Sequence, residues 1–214
     1  MSIQTLSTLL AAFLTFVVGW SVVLRDRRQR PYIAFSILCF NLCFWYLARF
    51  FATTLDSGLA RWIALLFAIA IPTSTERFFR LFLADDGQRP RPMSKLVLGA
   101  TVVAYLLLLL GAFYGSLLDS FLFRLPLFSF IFASLAYCVY LIYRRSRRLQ
   151  AAIPESAEPS KRSEAMRLTY LYYGGAATVT LAATDFLPEV GLPFPAIGNV
   201  LTVIYMYFFS QTLF

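Results

Sequence analysis

The chain consists of seven long apolar stretches separated by short polar ones. Each stretch has about the 20 residues that an α-helix needs to cross a bilayer. A membrane strand would alternate apolar and polar residues over about ten positions, and runs such as residues 106–110 do not alternate. The pattern therefore predicts an all-α membrane protein, one bundle of seven transmembrane helices. The predicted spans are residues 2–24, 31–54, 60–83, 94–115, 121–143, 166–187 and 196–214.

Between the fifth and sixth spans, residues 149–164 are polar and contain two prolines. This composition predicts a solvated loop that has helical structure at most at its ends. The first span is not a signal peptide, because a signal peptide carries its positive charges before the apolar stretch, whereas here the arginines follow it.

Composition agrees with the membrane prediction. Of the 214 residues, 59% are hydrophobic and 14% are charged, whereas soluble domains average about 45–50% and about 25%. A soluble globular domain and a disordered chain are therefore excluded. The three cysteines are too few, and odd in number, for a disulfide-rich scaffold. Seven spans would also leave no room for a soluble catalytic domain.

The basic residues predict the orientation of the bundle. Sixteen of the 19 lysines and arginines fall on one side of the predicted spans, and the exceptions are Arg49, Arg61 and Arg124. Because basic loops stay in the cytoplasm, the N-terminus is expected outside and the C-terminus inside a bacterial inner membrane. The net charge of +8 is then explained by topology and contact with lipid headgroups. Nucleic acid is not expected as a partner.

The absence of histidine narrows the chemistry. It excludes histidine metal ligands, serine–histidine or cysteine–histidine catalysis and a phosphoacceptor histidine within these residues. Both lysines, Lys95 and Lys161, fall at the predicted inner side, so a retinal Schiff base has no anchor. We therefore expect no catalytic residue, no metal and no cofactor.

Ionisable residues inside a membrane are costly and are candidates for function. Arg49, Arg124 and Asp185 lie at similar depth near the predicted outer ends of their spans, and Asn199 lies about one turn into the last span. These four residues are predicted to form a polar cluster or a ligand site. The alternative is that the arginines only reach the headgroups with their long side chains.

A second group lies at the predicted inner end of span three. Glu76 and Arg80 are spaced to pair on one helix face, with Arg77 beside them. Pro72, one turn earlier, is expected to kink the helix, and the hydroxyls at 73–75 are expected to satisfy the freed backbone. This group is a candidate for signal transmission. The alternative is an ordinary capped helix end at the membrane surface.

Small residues predict close helix approach at two places. Gly111 and Gly115 form a GxxxG pattern in span four, and Gly174 and Gly175 are adjacent in span six. Packing within the bundle is expected at both sites, and a homodimer seam is the alternative.

The whole layout resembles the N-terminal seven-helix sensor region of bacterial membrane histidine kinases. The resemblance rests on the seven spans, on Pro72 followed by ERFFRLFL at 76–83, and on FPAIGNVLT at 194–202. It implies a two-component sensor that receives a small-molecule, lipid or partner signal and passes it through the last helix to a cytoplasmic kinase. The last span ends without basic residues, so an output domain is expected beyond Phe214. A small seven-helix transporter and an integral-membrane enzyme are the competing hypotheses.

Overall fold

The computed structural model describes residues 3–25, 28–84, 93–113, 121–152, 159–183 and 197–212. Within these ranges the chain is almost entirely α-helical and contains no strand, which confirms the predicted all-α class. The helices are α1 (Ile3–Arg25), α2 (Arg30–Thr54), α3 (Gly58–Phe82), α4 (Lys95–Phe113), α5 (Phe121–Ala152), α6 (Pro159–Ala182) and α7 (Ile197–Thr212).

Four helices are long and apolar enough to cross a membrane, judged by length and composition. They are formed by Thr5–Arg25, Arg30–Thr54, Gly58–Phe82 and Leu125–Ala151, and α4 contributes a shorter apolar segment. Their outer faces carry large exposed apolar side chains, such as Phe13 on α1 and Leu106 on α4. Lipid is the solvent that such faces match.

The helix limits follow the predicted spans closely, except in α5 and α6. Helix α5 continues nine residues beyond the predicted end at 143, through four arginines, and α6 extends from Pro159 to Ala182 rather than from 166 to 187. Apolar composition marks the part of a helix that fits in lipid. Backbone hydrogen bonding continues past it, because arginine, glutamine and alanine favour helix and proline is tolerated in the first turn. The polar stretch at 149–164 thus has helical ends.

Local signals account for two helix starts. Pro31 occupies the first turn of α2, where its missing N–H is harmless. The side chain of Ser57 caps α3 by accepting a hydrogen bond from the backbone N–H of Ala60 at 3.4 Å. Between these helices, Asp56 has a φ of 46°, a left-handed conformation that aspartate tolerates better than most residues. Asp56 also pairs with Arg61.

Six helices pack side by side into a closed ring in the order α1, α2, α3, α5, α6, α7, with α7 returning to α1. Helix α4 lies outside this ring, mainly against α3 and with a minor contact to α5. There Leu108 of α4 is buried with Ala68 and Ile69 of α3 and with Leu127 and Ile131 of α5. The ring, and not α4, encloses the interior of the molecule.

Contacts between neighbouring helices define two ends of the bundle. At one end Asn199 of α7 reaches Thr8 of α1. At the other end the rings of Phe35, Phe78 and Phe209 meet. We call the first the Arg49 end, because Arg49 lies toward it on α2. We call the second the Glu76 end, because Glu76 lies toward it on α3.

Candidate ligand site

The ring encloses an apolar cavity with about 1010 Å³ of space between atoms, including its open mouth. Five of the six ring helices line it, and α1 does not. Its wall includes Trp45 of α2, Ala68 of α3, Phe128 of α5, Thr178 of α6 and Tyr205 of α7. A concave, mostly apolar space between the helices of a bundle is a common place for a small-molecule site.

Two hydroxyls of the wall donate to backbone carbonyls within the bundle. The hydroxyl of Tyr205 donates to the carbonyl of Leu171 at 3.1 Å, and that of Thr178 donates to the carbonyl of Gly174 at 2.8 Å. Cys138, also in the wall, is a buried free thiol. Among the described residues no group of three acids, cysteines or histidines is placed to hold a metal ion.

Gly174 and Gly175 make room for Tyr205. A Cβ atom at Gly175 would lie 2.8 Å from the Tyr205 hydroxyl and 3.2 Å from Cγ2 of Val139, and one at Gly174 would lie 3.3 Å from the same ring. These glycines therefore sit at a contact within the bundle, between α6 and α7. Gly111 is buried near the end of α4, and Gly115 lies outside the described residues.

A second close approach was missed by sequence analysis. A Cβ atom at Gly19 of α1 would lie 2.8 Å from Cβ of Cys39 of α2, so the two backbones meet there. No GxxxG pattern marks this glycine. Its only signal in the sequence is that it is a lone glycine inside an apolar helix.

Aromatic side chains close the cavity at the Glu76 end. Phe209 of α7 lies at the centre, with ring centroids 5.0 to 6.0 Å from those of Phe35, Phe78, Phe79 and Phe82. The phenylalanines of α3 were visible in the sequence as a cluster. The position of Phe209 among them could not be predicted, because it depends on how α7 docks.

Glu76 is buried at this same end, with 1% of its surface exposed. Its Oε1 atom accepts hydrogen bonds from Nε of Arg80 at 2.8 Å and from the backbone N–H of Ser94 at 3.0 Å. The i, i+4 pair predicted from the sequence is present, and the carboxylate also ties α3 to the start of α4. Oε2 is buried without a hydrogen-bond partner, and Arg77 faces outward, exposed.

Pro72 is buried, and α3 continues through it from Gly58 to Phe82. The neighbouring hydroxyls do not restore the lost hydrogen bond as expected. Thr73 donates to the carbonyl of Ala70, and Ser74 donates to those of Ala70 and Ile71. Because Pro72 has no N–H, the carbonyl of residue 68 loses its helical donor. A helical hydroxyl reaches the carbonyl three or four residues earlier, so the side chains of Thr73 and Ser74 cannot reach that carbonyl. Asn41 of α2 donates instead to Ser74 at 3.4 Å.

Arg49 lies at the opposite end, half-buried on α2. The carbon at the centre of its guanidinium is 5.2 Å from the centroid of the Trp45 ring, a cation–π contact. Its Nη1 atom is buried and has no hydrogen-bond partner. Trp45 lines the cavity and Arg49 itself does not, so the guanidinium contacts the cavity only through this wall residue.

Two further buried polar atoms near this end lack partners. They are Nε1 of Trp62, which lies near the start of α3, and Oδ1 of Asn199, near the start of α7. Asn199 is 2% exposed, and its Nδ2 atom donates to Oγ1 of Thr8 at 3.4 Å. The structure therefore joins Asn199 to α1 rather than to Arg49.

The other two members of the expected cluster are not placed. The side chain of Arg124 and the whole of Asp185 lie outside the described residues. Whether they meet Arg49 stays a prediction.

Comparison with protein-family models, with curated proteins and with solved structures found no match to this chain.

Proposed function

We propose that the chain is the membrane-embedded sensor region of a bacterial signal-transduction protein. In this proposal all seven helices span the inner membrane, with the Arg49 end outside and the Glu76 end at the cytoplasm. The observation that carries the proposal is the apolar cavity enclosed by the helix ring. Such a space accepts an apolar or lipidic signal from the bilayer.

The wall formed by α7 supports signal transmission. Thr202, Tyr205, Met206 and Phe209 recur at helical spacing along one face of α7, and all four line the cavity. A ligand that binds one packing of these residues better than another shifts the equilibrium between the two packings. The shift would pass along α7 to a cytoplasmic output domain, for which we propose a histidine kinase.

The distribution of charge supports the orientation. The arginines that follow the apolar part of α5 and those at the start of α6 lie on the side of the Glu76 end, and basic residues mark the cytoplasmic side. Two single cysteines test this directly, Leu55→Cys between α2 and α3 and Gln29→Cys before α2. The native cysteines Cys39, Cys43 and Cys138 are buried and give little background.

In intact cells a membrane-impermeant maleimide should label the cysteine at position 55 and leave that at position 29 unlabelled until lysis. The reverse labelling would invert the orientation. Equal labelling of both positions would contradict a membrane crossing by α2.

The sensor function is tested by a chimera that joins residue 214 to a dimeric cytoplasmic kinase module. Thr178→Phe fills the cavity from α6 and should change autophosphorylation several-fold by altering the packing against α7. Thr180→Phe is the matched control, because Thr180 is exposed and makes the same bond to the carbonyl four residues earlier.

An unchanged kinase activity in Thr178→Phe would count against the sensor proposal. Solute uptake into proteoliposomes that Thr178→Phe blocks and Thr180→Phe does not would favour the competing transporter hypothesis instead.

A further inference from the structure

The cavity and the Arg49 guanidinium together have the shape and chemistry of a site for an amphiphile. The space is apolar along its length, and at one end a wall residue, Trp45, contacts the guanidinium of Arg49, whose buried Nη1 atom has no hydrogen-bond partner. A buried donor without a partner costs about 1–3 kcal/mol, and a charged one costs more. A negatively charged oxygen placed there would remove this cost through a charge-assisted hydrogen bond.

The length of the cavity indicates the length of the apolar part. Its lining on α3 extends from Ala68 to Phe79, and on α5 from Phe128 to Val139. At 1.5 Å per residue each stretch rises about 16 Å. The hydrocarbon core of a bilayer is about 30 Å thick, so the cavity is as long as one leaflet. An unbranched acyl chain of ordinary membrane length has this dimension.

The blocked end of the cavity determines the direction of the acyl chain. The cluster around Phe209 blocks the Glu76 end, and there the basic side chain of Arg80 is already paired with Glu76. Among the described residues, the Arg49 end has a half-buried guanidinium with a buried, unpartnered Nη1 atom beside a residue of the cavity wall.

We propose that the cavity binds a single-chain anionic amphiphile, with its head at Arg49 and its chain extended toward Phe209. A fatty acid and a lysophospholipid share this chemistry, the first through a carboxylate and the second through a phosphate. The role of this ligand as the signal of the sensor rests on the proposed function. Its binding is measured without any signalling readout, so the two proposals fail separately.

The experiment uses the full chain in lipid nanodiscs, with Trp45 as the reporter. Trp20→Phe and Trp62→Phe remove the other two tryptophans, of which Trp20 is exposed on α1. Stearate dibrominated at mid-chain should quench Trp45 saturably, and brominated stearyl alcohol should bind about tenfold more weakly, as expected for the loss of one charge-assisted hydrogen bond. Unlabelled lysophosphatidylglycerol is the competitor that distinguishes the two head groups.

Four substitutions in this background locate the site. Arg49→Gln should weaken stearate binding about tenfold and remove its advantage over the alcohol, whereas Arg49→Lys, which keeps the charge, should retain the advantage. Thr178→Phe should abolish saturable quenching, and Thr180→Phe should leave it unchanged.

Non-saturable quenching, or saturable quenching equal in the two phenylalanine variants, would mean that the probe only partitions into lipid and would overturn the proposal. Equal affinity of wild-type protein for the acid and the alcohol would also overturn it, and that comparison needs no variant at Arg49. Unlabelled stearate should displace the probe in either case. Displacement by lysophosphatidylglycerol at lower concentrations than stearate would assign the phosphate head, and no displacement by it would assign the carboxylate.

Discussion

At the Glu76 end of the bundle a buried carboxylate pairs with a cation and the rings pack, although its Oε2 atom has no hydrogen-bond partner, whereas at the Arg49 end three residues have a buried polar atom without one. Glu76 engages both Arg80 and the backbone of Ser94, and Phe209 contacts four phenylalanines. Arg49, Trp62 and Asn199 each keep one buried polar atom without a hydrogen bond. In apolar surroundings such atoms are costly, so the difference separates an end built for cohesion from an end that can gain energy by binding.

The largest loss of stability is expected from breaking the ion pair at the Glu76 end. Arg80→Leu leaves the carboxylate of Glu76 buried and without its cation, which costs about 3–5 kcal/mol. Unfolding of the purified protein in detergent should show the loss. Arg77→Leu is the control, because Arg77 lies three residues earlier on the same helix and is exposed. Its free energy of unfolding should stay within about 0.5 kcal/mol of the wild-type value. Similar values for the two variants would show that the Glu76 end is not held by this pair.

A smaller loss is expected where α1 and α2 touch. Gly19→Ala places a Cβ atom 2.8 Å from Cβ of Cys39, which cannot move without its backbone. Overpacking of this kind costs about 1–3 kcal/mol. Gly99→Ala in α4 meets no atom within 4 Å and should be neutral or stabilise the helix by up to about 1 kcal/mol. The same unfolding measurement compares the two, and a neutral Gly19→Ala would refute close contact between α1 and α2.

The Arg49 end should tolerate the replacement of its arginine by leucine, whereas the Glu76 end should not. Arg49→Leu removes the unpartnered Nη1 atom together with the cation–π contact to Trp45, two effects of opposite sign, so the ligand-free protein should change by less than about 1 kcal/mol in either direction. The matched comparison is Arg80→Leu, measured under the same conditions. A loss at Arg49 as large as that at Arg80 would mean that Arg49 has a structural partner and would remove the contrast between the ends.

The smallest effect is expected between Asn199 and Thr8. A double-mutant cycle with Asn199→Ala and Thr8→Ala isolates their hydrogen bond from the other contacts of each residue. At a donor–acceptor distance of 3.4 Å the coupling should be about 0.6 kcal/mol, the average for polar pairs between membrane helices. A coupling several times larger would place the Arg49 end among the cohesive parts of the bundle.

Much of the fold could be predicted because it is local. Helices α2 and α3 begin and end within two residues of the predicted spans, and the Glu76–Arg80 pair follows from spacing on one helix. The site was harder to predict. The polar cluster of Asn199 with Arg49 stays a prediction, and the contact of Asn199 with Thr8 could not be foreseen, because it depends on the ring placing α7 against α1. The predicted backbone repair at Pro72 was wrong for a local reason, the fixed reach of helical hydroxyls.

The sequence by itself determined the helices and their apolar character, since apolar runs and helix propensity act within one stretch of chain. Tertiary structure alone decided that six helices close into a ring, that α4 stays outside it, and that Phe209 blocks one end of the interior. It also decided which buried polar atoms find partners and which, like Nη1 of Arg49, do not. These outcomes depend on contacts between residues far apart in the chain, which the pattern along any one helix does not contain.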